Sequence, residues 1–368
     1  MMRRVFSGIQ PTGVPHLGNY LGAFRHWVAL QEDHDAFYCI VDLHAMTLPW
    51  DPAALRRGTL EVAASLLACG IDPARSVVFV QSDVPAHAEL AWILECIARM
   101  GELRRMVQFR ERSRGETETV GVGVFTYPVL QAADVLAYRA NGVPVGEDQR
   151  QHVELMRDLA GRFNATYGEV FVLPEAWIPA AGARIMSLDD PAQKMSKSAG
   201  RPASNVTLTE SPEAIARKFR SAVTDSGREV RAGHDKPALT NLLTIYSLVT
   251  GEPVPALEQE WAGRGYGDFK AALAAAVADH FAPIRSRYEE AMADPGELEG
   301  ILARGAEQAS AIAGATMASV REAAGLLPAR AAIAPAPPEA PKTAPAGGPR
   351  LTSSLHSARC VDKSTGRR

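Results

Sequence analysis

Lys194-Met195-Ser196-Lys197-Ser198 sets two ammonium groups three positions apart among small hydroxyls, a combination suited to closing over a polyphosphate. Lysine carries a compact charge on a long flexible stem. The serines add donors, and Ala199-Gly200-Arg201-Pro202 behind them reads as a mobile loop. The bland alternative is a solvated basic turn, since charge runs usually lie on the surface. A second segment near the N-terminus also suits an anion: Gln10-Pro11-Thr12-Gly13 followed by His16-Leu17-Gly18-Asn19. A glycine-bearing turn that opens into a helix presents unpaired backbone N–H groups and the positive end of the helix dipole. It is neither a Walker loop nor a GxGxxG, so P-loop chemistry and ordinary dinucleotide binding both lose ground. Three further places carry chemistry-bearing groups: Asp42-Leu43-His44, Gly146-Glu147-Asp148-Gln149, and Asp134. Asp134 stands among alanines and aliphatics, which leaves two readings open, a solvent-facing carboxylate or one buried against a donor.

The elements that must position these groups alternate between strand and helix. Arg4 to Ile9, Ala36 to Val41 and Ser76 to Val80 are β-branched or continuously apolar runs that read as strands. Leu17, Leu21, Phe24 and Val28 fall near helical spacing, and Asp51 to Ala68 reads as a helix with Asp51 as N-cap and Pro52 in its first turn. Strands buried on both faces and separated by helices predict a doubly wound parallel α/β sheet, which binds ligands at the carboxyl ends of its strands. The junctions at residues 10–19, 42–44 and 146–149 all follow such ends, so they are expected to share one crevice.

Gly121-Val122-Gly123-Val124 reads as a turn, with Tyr127-Pro128-Val129-Leu130 leading into a helix from Gln131 to Tyr138. Val153 to Phe163 continue with helical periodicity. From His87 to Arg114 two helical stretches are expected, the second carrying Arg104, Arg105, Arg110, Arg112 and Arg114. Those arginines read either as a solvated face or as a surface that meets a partner subunit or RNA phosphates. Beyond Pro212 the pattern is helical throughout: Glu213 to Val223, Leu239 to Val249, Gly267 to Ala293 and Glu297 to Ala324. This predicts a second, all-helical domain. From Ala331 alanine and proline alternate, a composition that cannot bury enough apolar surface to order itself, so a disordered tail is expected.

The 368 residues allow two domains, and a net charge of -3 excludes polycation behaviour, so any nucleic-acid contact must come from a local basic surface. No stretch approaches the roughly 18 to 20 apolar residues of a membrane span. The N-terminus meets Gly8 and Pro11 before an apolar signal region develops, so no export signal is read. The 4 cysteines are scattered without a CxxC pair, so no zinc or iron–sulfur site and no disulfide framework is indicated, and a reducing cytoplasm is expected.

Pro11-Thr12-Gly13-Val14-Pro15-His16-Leu17-Gly18-Asn19 resembles the HIGH signature of class I aminoacyl-tRNA synthetases, and Lys194 to Ser198 is the intact KMSKS signature of that class. Within the class, Phe6 to Gly13, Val41-Asp42-Leu43-His44-Ala45, Ala132-Ala133-Asp134, Gly146 to Gln149 and Ser221 to Ser226 are similar to the bacterial tryptophanyl-tRNA synthetases, from about Arg4 to Leu327. The resemblance implies a Rossmann-like catalytic domain at 1–203 with a short connecting insertion near 81–125, a helical tRNA-binding and anticodon-binding region at 204–328, and a tail at 329–368. It implies a homodimer with no membrane attachment, ATP as a substrate with phosphate-bound Mg2+, and L-tryptophan and tRNA(Trp) as partners. Catalytic roles fall on His16, Asn19, Lys194 and Lys197. ATP binding falls on Gln10, Pro11, Thr12, Gly18, Asn19, Gly146, Glu147, Asp148, Ile185, Lys194, Met195, Ser196, Lys197 and Ser198. Tryptophan binding falls on Asp134 as acceptor of the indole N–H, on Phe6, Val143 and Val145 as pocket wall, and on His44 and Gln149 at its polar side. Gln131 departs from the pattern, standing where many relatives carry methionine in the indole pocket. The insertion is too short for a separate hydrolytic editing domain. Two rivals are tyrosyl-tRNA synthetase and a non-translational paralogue that binds tryptophan or its adenylate. The Asp134 and Asp42-Leu43-His44 contexts weigh against the first, and the intact phosphate motifs against the second.

Overall fold

The computed structural model describes residues 2–107, 120–178, 184–196, 201 and 203–328. Lys197, Ser198, the arginines at 110, 112 and 114, and the tail at 329–368 lie outside the described residues.

Five strands form one parallel sheet: β1 (Arg4–Ile9), β2 (Asp35–Ile40), β3 (Ser76–Val80), β4 (Gly142–Pro144) and β5 (Glu175–Trp177), in the order β3-β2-β1-β4-β5. The pleat sends alternate residues to opposite faces. Val5, Tyr38, Ile40, Val78 and Val80 enter one core, while Phe6, Phe37, Cys39 and Phe79 enter the other. Both faces therefore need cover, which is why these strands read as continuous apolar runs. The doubly wound parallel α/β class expected from sequence is present.

One face is covered by α1 (Leu17–Asn19), a π-helical turn (Tyr20–Phe24), α2 (Arg25–Leu30) and α4 (Pro52–Ala68), together with four helices from the C-terminal half. These are α9 (Pro212–Ser221), α10 (Pro237–Thr250), α11 (Val254–Glu260) and α12 (Tyr266–Ala293). The other face is covered by α5 (Ala86–Glu95), α6 (Met100–Arg104), α7 (Val122–Leu136) and α8 (Arg150–Tyr167). Between them the short α3 (Asp42–Ala45) follows β2. Asp51 caps α4 by accepting from Ala54 N at 2.9 Å, with Pro52 in the first turn.

The last described helix, α13 (Pro295–Ala323), runs along β3, the edge of the sheet, with Leu302 in one core and Ala306 in the other. A Cβ at Gly305 would meet the Val78 carbonyl oxygen at 1.9 Å, so only glycine lets this helix lie against the strand backbone. The helix thereby covers an edge that would otherwise expose unpaired backbone groups. Described residues up to Pro328 form one compact unit.

Two expectations are corrected, and two elements were missed. The turn predicted at residues 121–124 is already the start of α7, and Pro128 lies inside that helix rather than ahead of it. Burial of Val124, Tyr127 and Val129 around the helix outweighs the hydrogen bond that proline removes. The sequence reading also missed α11 and the 3-residue β5, both too short to display a period.

Candidate active site

Strand order reverses between β1 and β4, and ligands in such sheets sit outside the carboxyl ends at that switch. Ser7 Oγ donates to the Pro144 carbonyl at 3.1 Å and ties the two strands together there. Gln10, Pro11 and Thr12 leave β1, and Gly146, Glu147 and Asp148 leave β4. Gln10, Thr12, Gly146, Glu147 and Asp148 are exposed, and Pro11 is buried. Arg150 pairs with Glu147 at 2.6 Å, and that hydrogen bond draws the carboxyl below its ordinary range.

His16 caps α1 reciprocally with Asn19. The Asn19 backbone N–H donates to His16 Nδ1 at 3.3 Å, and the His16 N–H donates to Asn19 Oδ1 at 3.0 Å. An imidazole whose Nδ1 accepts must carry its proton on Nε2. His16 is therefore held as an Nε2–H donor at a helix start. A Cβ at Gly18 would lie 3.0 Å from the His16 ring and 3.5 Å from Met195 Cβ. The two signature segments thus touch at Gly18, where a side chain would crowd the imidazole.

The lysine segment pairs with the stretch at Ile185, and the chain that follows it, around Val206, pairs with the helix start. Met195 N donates to Ile185 O at 3.0 Å, Leu188 N to Ser204 O at 3.0 Å, and Leu17 N to Val206 O at 2.7 Å. Asn205 Nδ2 donates to Ser196 O at 3.1 Å. Ile185 and Met195, expected along adenine, are both buried in the core beside Leu17. Lys194 is exposed, and its Nζ lies 3.8 Å from Asp148 Oδ1.

Asp134 is 1% exposed, on α7. Its Oδ2 takes His44 Nε2 at 2.7 Å, and its Oδ1 takes Gln81 Nε2 at 2.6 Å and His87 Nδ1 at 2.6 Å. Burial alone would raise this carboxyl, but the His44 and His87 imidazoles and their hydrogen bonds hold it well below the usual carboxylate range. Of the two readings left open by the sequence, the buried carboxylate is the one present. His87 Nε2 lies 2.7 Å from the hydroxyl of fully buried Tyr138. Phe6 stacks on Tyr138 at 5.4 Å and 14°, and Val143 is buried beside it in the same core. Val145 is half-buried. Gln131 Nε2 donates to Gln149 Oε1 at 3.3 Å, and Gln149 Nε2 donates to Asp148 Oδ2 at 3.1 Å.

Sequence reasoning did not single out Gln81, His87 or Tyr138. Gln81 directly follows β3, a position that the strand-end rule marks. Tyr138 stands four residues after Asp134, but a partner 47 residues away at His87 has no local signal.

A glycine-bearing turn, a capped helix start and a lysine segment beside it stand at the switch point of a parallel sheet, where sheets of this class bind their ligands. The family model described as tRNA synthetases class I (W and Y) matches residues 2–282, and the chain belongs to that family. It is similar to tryptophan–tRNA ligase 2 of Streptomyces avermitilis, at 54% identity over 331 residues, 89% of this chain and 98% of that one. It is also similar to the tryptophan–tRNA ligase of Caldanaerobacter subterraneus, at 52% over 327 residues, covering 89% and 99%. Among solved structures, tryptophanyl-tRNA synthetase from Mycoplasma pneumoniae superposes with a TM-score of 0.82 at 35% identity, covering 89% and 98% of the two chains. Tryptophanyl-tRNA synthetase from Campylobacter jejuni, complexed with ADP and tryptophan, gives 0.76 at 37% identity, covering 88% and 100%.

Proposed function

We propose that this chain is a tryptophan–tRNA ligase. It activates L-tryptophan with ATP to tryptophanyl-adenylate and pyrophosphate, then transfers the tryptophanyl group to the 3′ end of tRNA(Trp). The observation that carries this reading is the placement of the Lys194 segment beside the His16–Asn19 turn, in a chain alike over nearly its relatives' whole length to enzymes named for this reaction.

The tryptophan carboxylate attacks the α-phosphorus in line and pyrophosphate leaves, so the protein's part is positioning and charge stabilisation rather than a nucleophile. His16 Nε2–H and Asn19 face the phosphates at the start of α1, with Gln10, Pro11, Thr12 and Gly18 along the nucleotide. Gly146, Glu147 and Asp148 line the ribose, and Ile185 and Met195 support the adenine side. Lys194 and Lys197, with Ser196 and Ser198, neutralise the departing pyrophosphate. Mg2+ would be held mainly by the phosphates of bound ATP and would supply charge neutralisation there, since this ion keeps several waters and needs no dedicated protein cage. For the amino acid, Asp134 accepts the indole N–H, because indole nitrogen only donates and a carboxylate only accepts. Phe6, Val143 and Val145 form the apolar wall, with His44 and Gln149 at the polar edge.

Residues 204–328 serve as the tRNA-facing region of a homodimer. Trp92 at 67% exposure, Met100 at 57% and Val122 at 75%, on α5, α6 and the start of α7, give the second copy an apolar surface to cover. A cytoplasmic setting accords with Cys39 and Cys69 as buried free thiols, and no described helix is long and apolar enough to cross a membrane. Exchange of pyrophosphate into ATP, run with tryptophan and tyrosine side by side, tests the reading: tryptophan alone should support it, and tyrosine-dependent exchange would overturn it.

A further inference from the structure

Asp134 is surrounded by protein donors before any substrate arrives. An ionised carboxylate has about four acceptor directions. Gln81 and His87 fill both directions on Oδ1, and His44 fills one on Oδ2. Among the described residues one direction on Oδ2 remains. Two of these donors, Gln81 and His87, are themselves fixed. Leu43 N donates to Gln81 Oε1 at 3.1 Å, which forces the amide nitrogen, not the oxygen, toward Asp134. Leu43 is held in turn by α3 at the end of β2, so the orientation of this amide follows from the sheet. His87 Nδ1 faces a carboxylate oxygen and must carry a proton there. Its Nε2 faces the Tyr138 hydroxyl at 2.7 Å. Tyr138 is fully buried, and this is where its O–H finds an acceptor, so Tyr138 donates and His87 keeps the tautomer that donates to Asp134.

We propose that Gln81 and His87, with Tyr138 setting the tautomer of His87, are positioning residues for amino-acid selection: they lock Asp134 as an ionised acceptor with a single open direction for a substrate N–H. The proposal rests on the reading of Asp134 as the indole acceptor. Its consequence is discrimination against any aromatic amino acid that lacks an N–H, since such a substrate must cover an ionised, rigidly held carboxylate without satisfying it. The titratable groups that face this cluster are His44 on α3, Cys39 on β2, Tyr127 on α7, His152 on α8, and Tyr138 just past the end of α7. Asp42 and Asp83 act on the Cys39 thiol from the strand ends.

The test measures kcat and the tryptophan KM in pyrophosphate exchange, from about pH 6 to about pH 8.5, in variants that change one donor. Gln81→Glu is nearly isosteric and still accepts from Leu43, but it sets a carboxyl where the amide donated. Two carboxylates in contact cannot both be ionised without cost. The introduced carboxyl therefore has to be protonated to replace the amide, so the tryptophan KM of this variant should rise with pH and return toward that of the unaltered enzyme at the acid end. His87→Leu should raise the tryptophan KM about tenfold or more with kcat within about twofold, the loss of one hydrogen bond to a charged group. His87→Asn, whose amide nitrogen can stand near the place of Nδ1, should recover most of that loss. A pH profile for Gln81→Glu that parallels the unaltered enzyme, or His87→Asn no better than His87→Leu, would overturn the positioning role. Asp134→Asn in the same assay separates the two readings. Unchanged selection of tryptophan over phenylalanine there removes the reading of Asp134 and with it this proposal, whereas lost selection beside a flat Gln81→Glu profile removes the positioning role alone.

Discussion

Lys194 Nζ stands 3.8 Å from Asp148 Oδ1, with the two side chains 57% and 58% exposed. A pair that open to water contributes at most about 1 kcal/mol to stability. Its cost and benefit therefore lie in where it places the lysine, beside the segment that leaves β4, rather than in holding the fold. Lys194→Ala should leave thermal unfolding within about 1 kcal/mol of the unaltered protein. It should lower kcat for tryptophan-dependent exchange by about 100-fold, the scale of losing one preorganised charge contact to the leaving group. Tryptophan affinity, followed by fluorescence titration, should hardly change. Equal loss of binding and rate would contradict the assignment to pyrophosphate.

Asp134 answers to a different readout. Asp134→Ala removes the acceptor and leaves His44, Gln81 and His87 without theirs, so a loss of about 3 kcal/mol in denaturant unfolding is expected. At the active site the preference for tryptophan over phenylalanine, measured as the ratio of kcat/KM values, should fall by about 100-fold or more. A ratio that stays put while stability drops would make Asp134 a structural residue only.

Much of this arrangement was legible in the chain itself, and the limits have physical causes. β1, β2 and β3 were readable because strands buried on both faces are apolar without interruption, as in Ala36 to Val41. Asp51 with Pro52 announced the start of α4, since capping chemistry is local. Pro128 misled in the opposite sense: its usual role as a breaker was overruled by burial of its neighbours, which is a tertiary effect. Asp134 could be singled out by its company but not oriented. Its three donors come from α3, the end of β3 and α5, and only the sheet brings them together.

The contact between α13 and β3 predicts a stability effect remote from the chemistry. A Cβ at Gly305 would stand 1.9 Å from a backbone oxygen that cannot move without disturbing β3. Gly305→Ala should destabilise by about 3 kcal/mol or more, in spite of alanine's better helix propensity. Denaturant unfolding measures this, and a neutral or stabilising result would mean that α13 can shift along the strand at little cost.

The apolar side chains of Trp92, Met100 and Val122 predict the assembly state. Trp92 is 67% exposed on α5, in a helix whose other face packs against α7. If this surface is where a second copy docks, Trp92→Glu should convert the protein to monomer at micromolar concentration, because a desolvated charge opposes the interface. Sedimentation across a concentration series decides the matter. A dimer that survives the substitution would place the interface elsewhere.

His152 supplies the pH dependence. It is 2% exposed on α8, where its Nε2 meets the Tyr127 hydroxyl at 2.9 Å and its Nδ1 has no hydrogen-bond partner among the described residues. Burial pushes the imidazole down to about 4, despite the Asp148 carboxylate, which acts in the opposite direction. The unfolded chain binds a proton on this histidine below its ordinary value near 6.5, while the folded chain does not until about 4. Stability from this group is therefore complete above pH 6.5 and is lost as the pH falls between those two values. The full difference corresponds to about 3 kcal/mol by linkage. Urea unfolding at pH 7 and near pH 4.5 should show that loss in part, and His152→Gln, which does not titrate, should flatten this portion of the profile. An acid-side slope unchanged by the substitution would assign the loss to other groups.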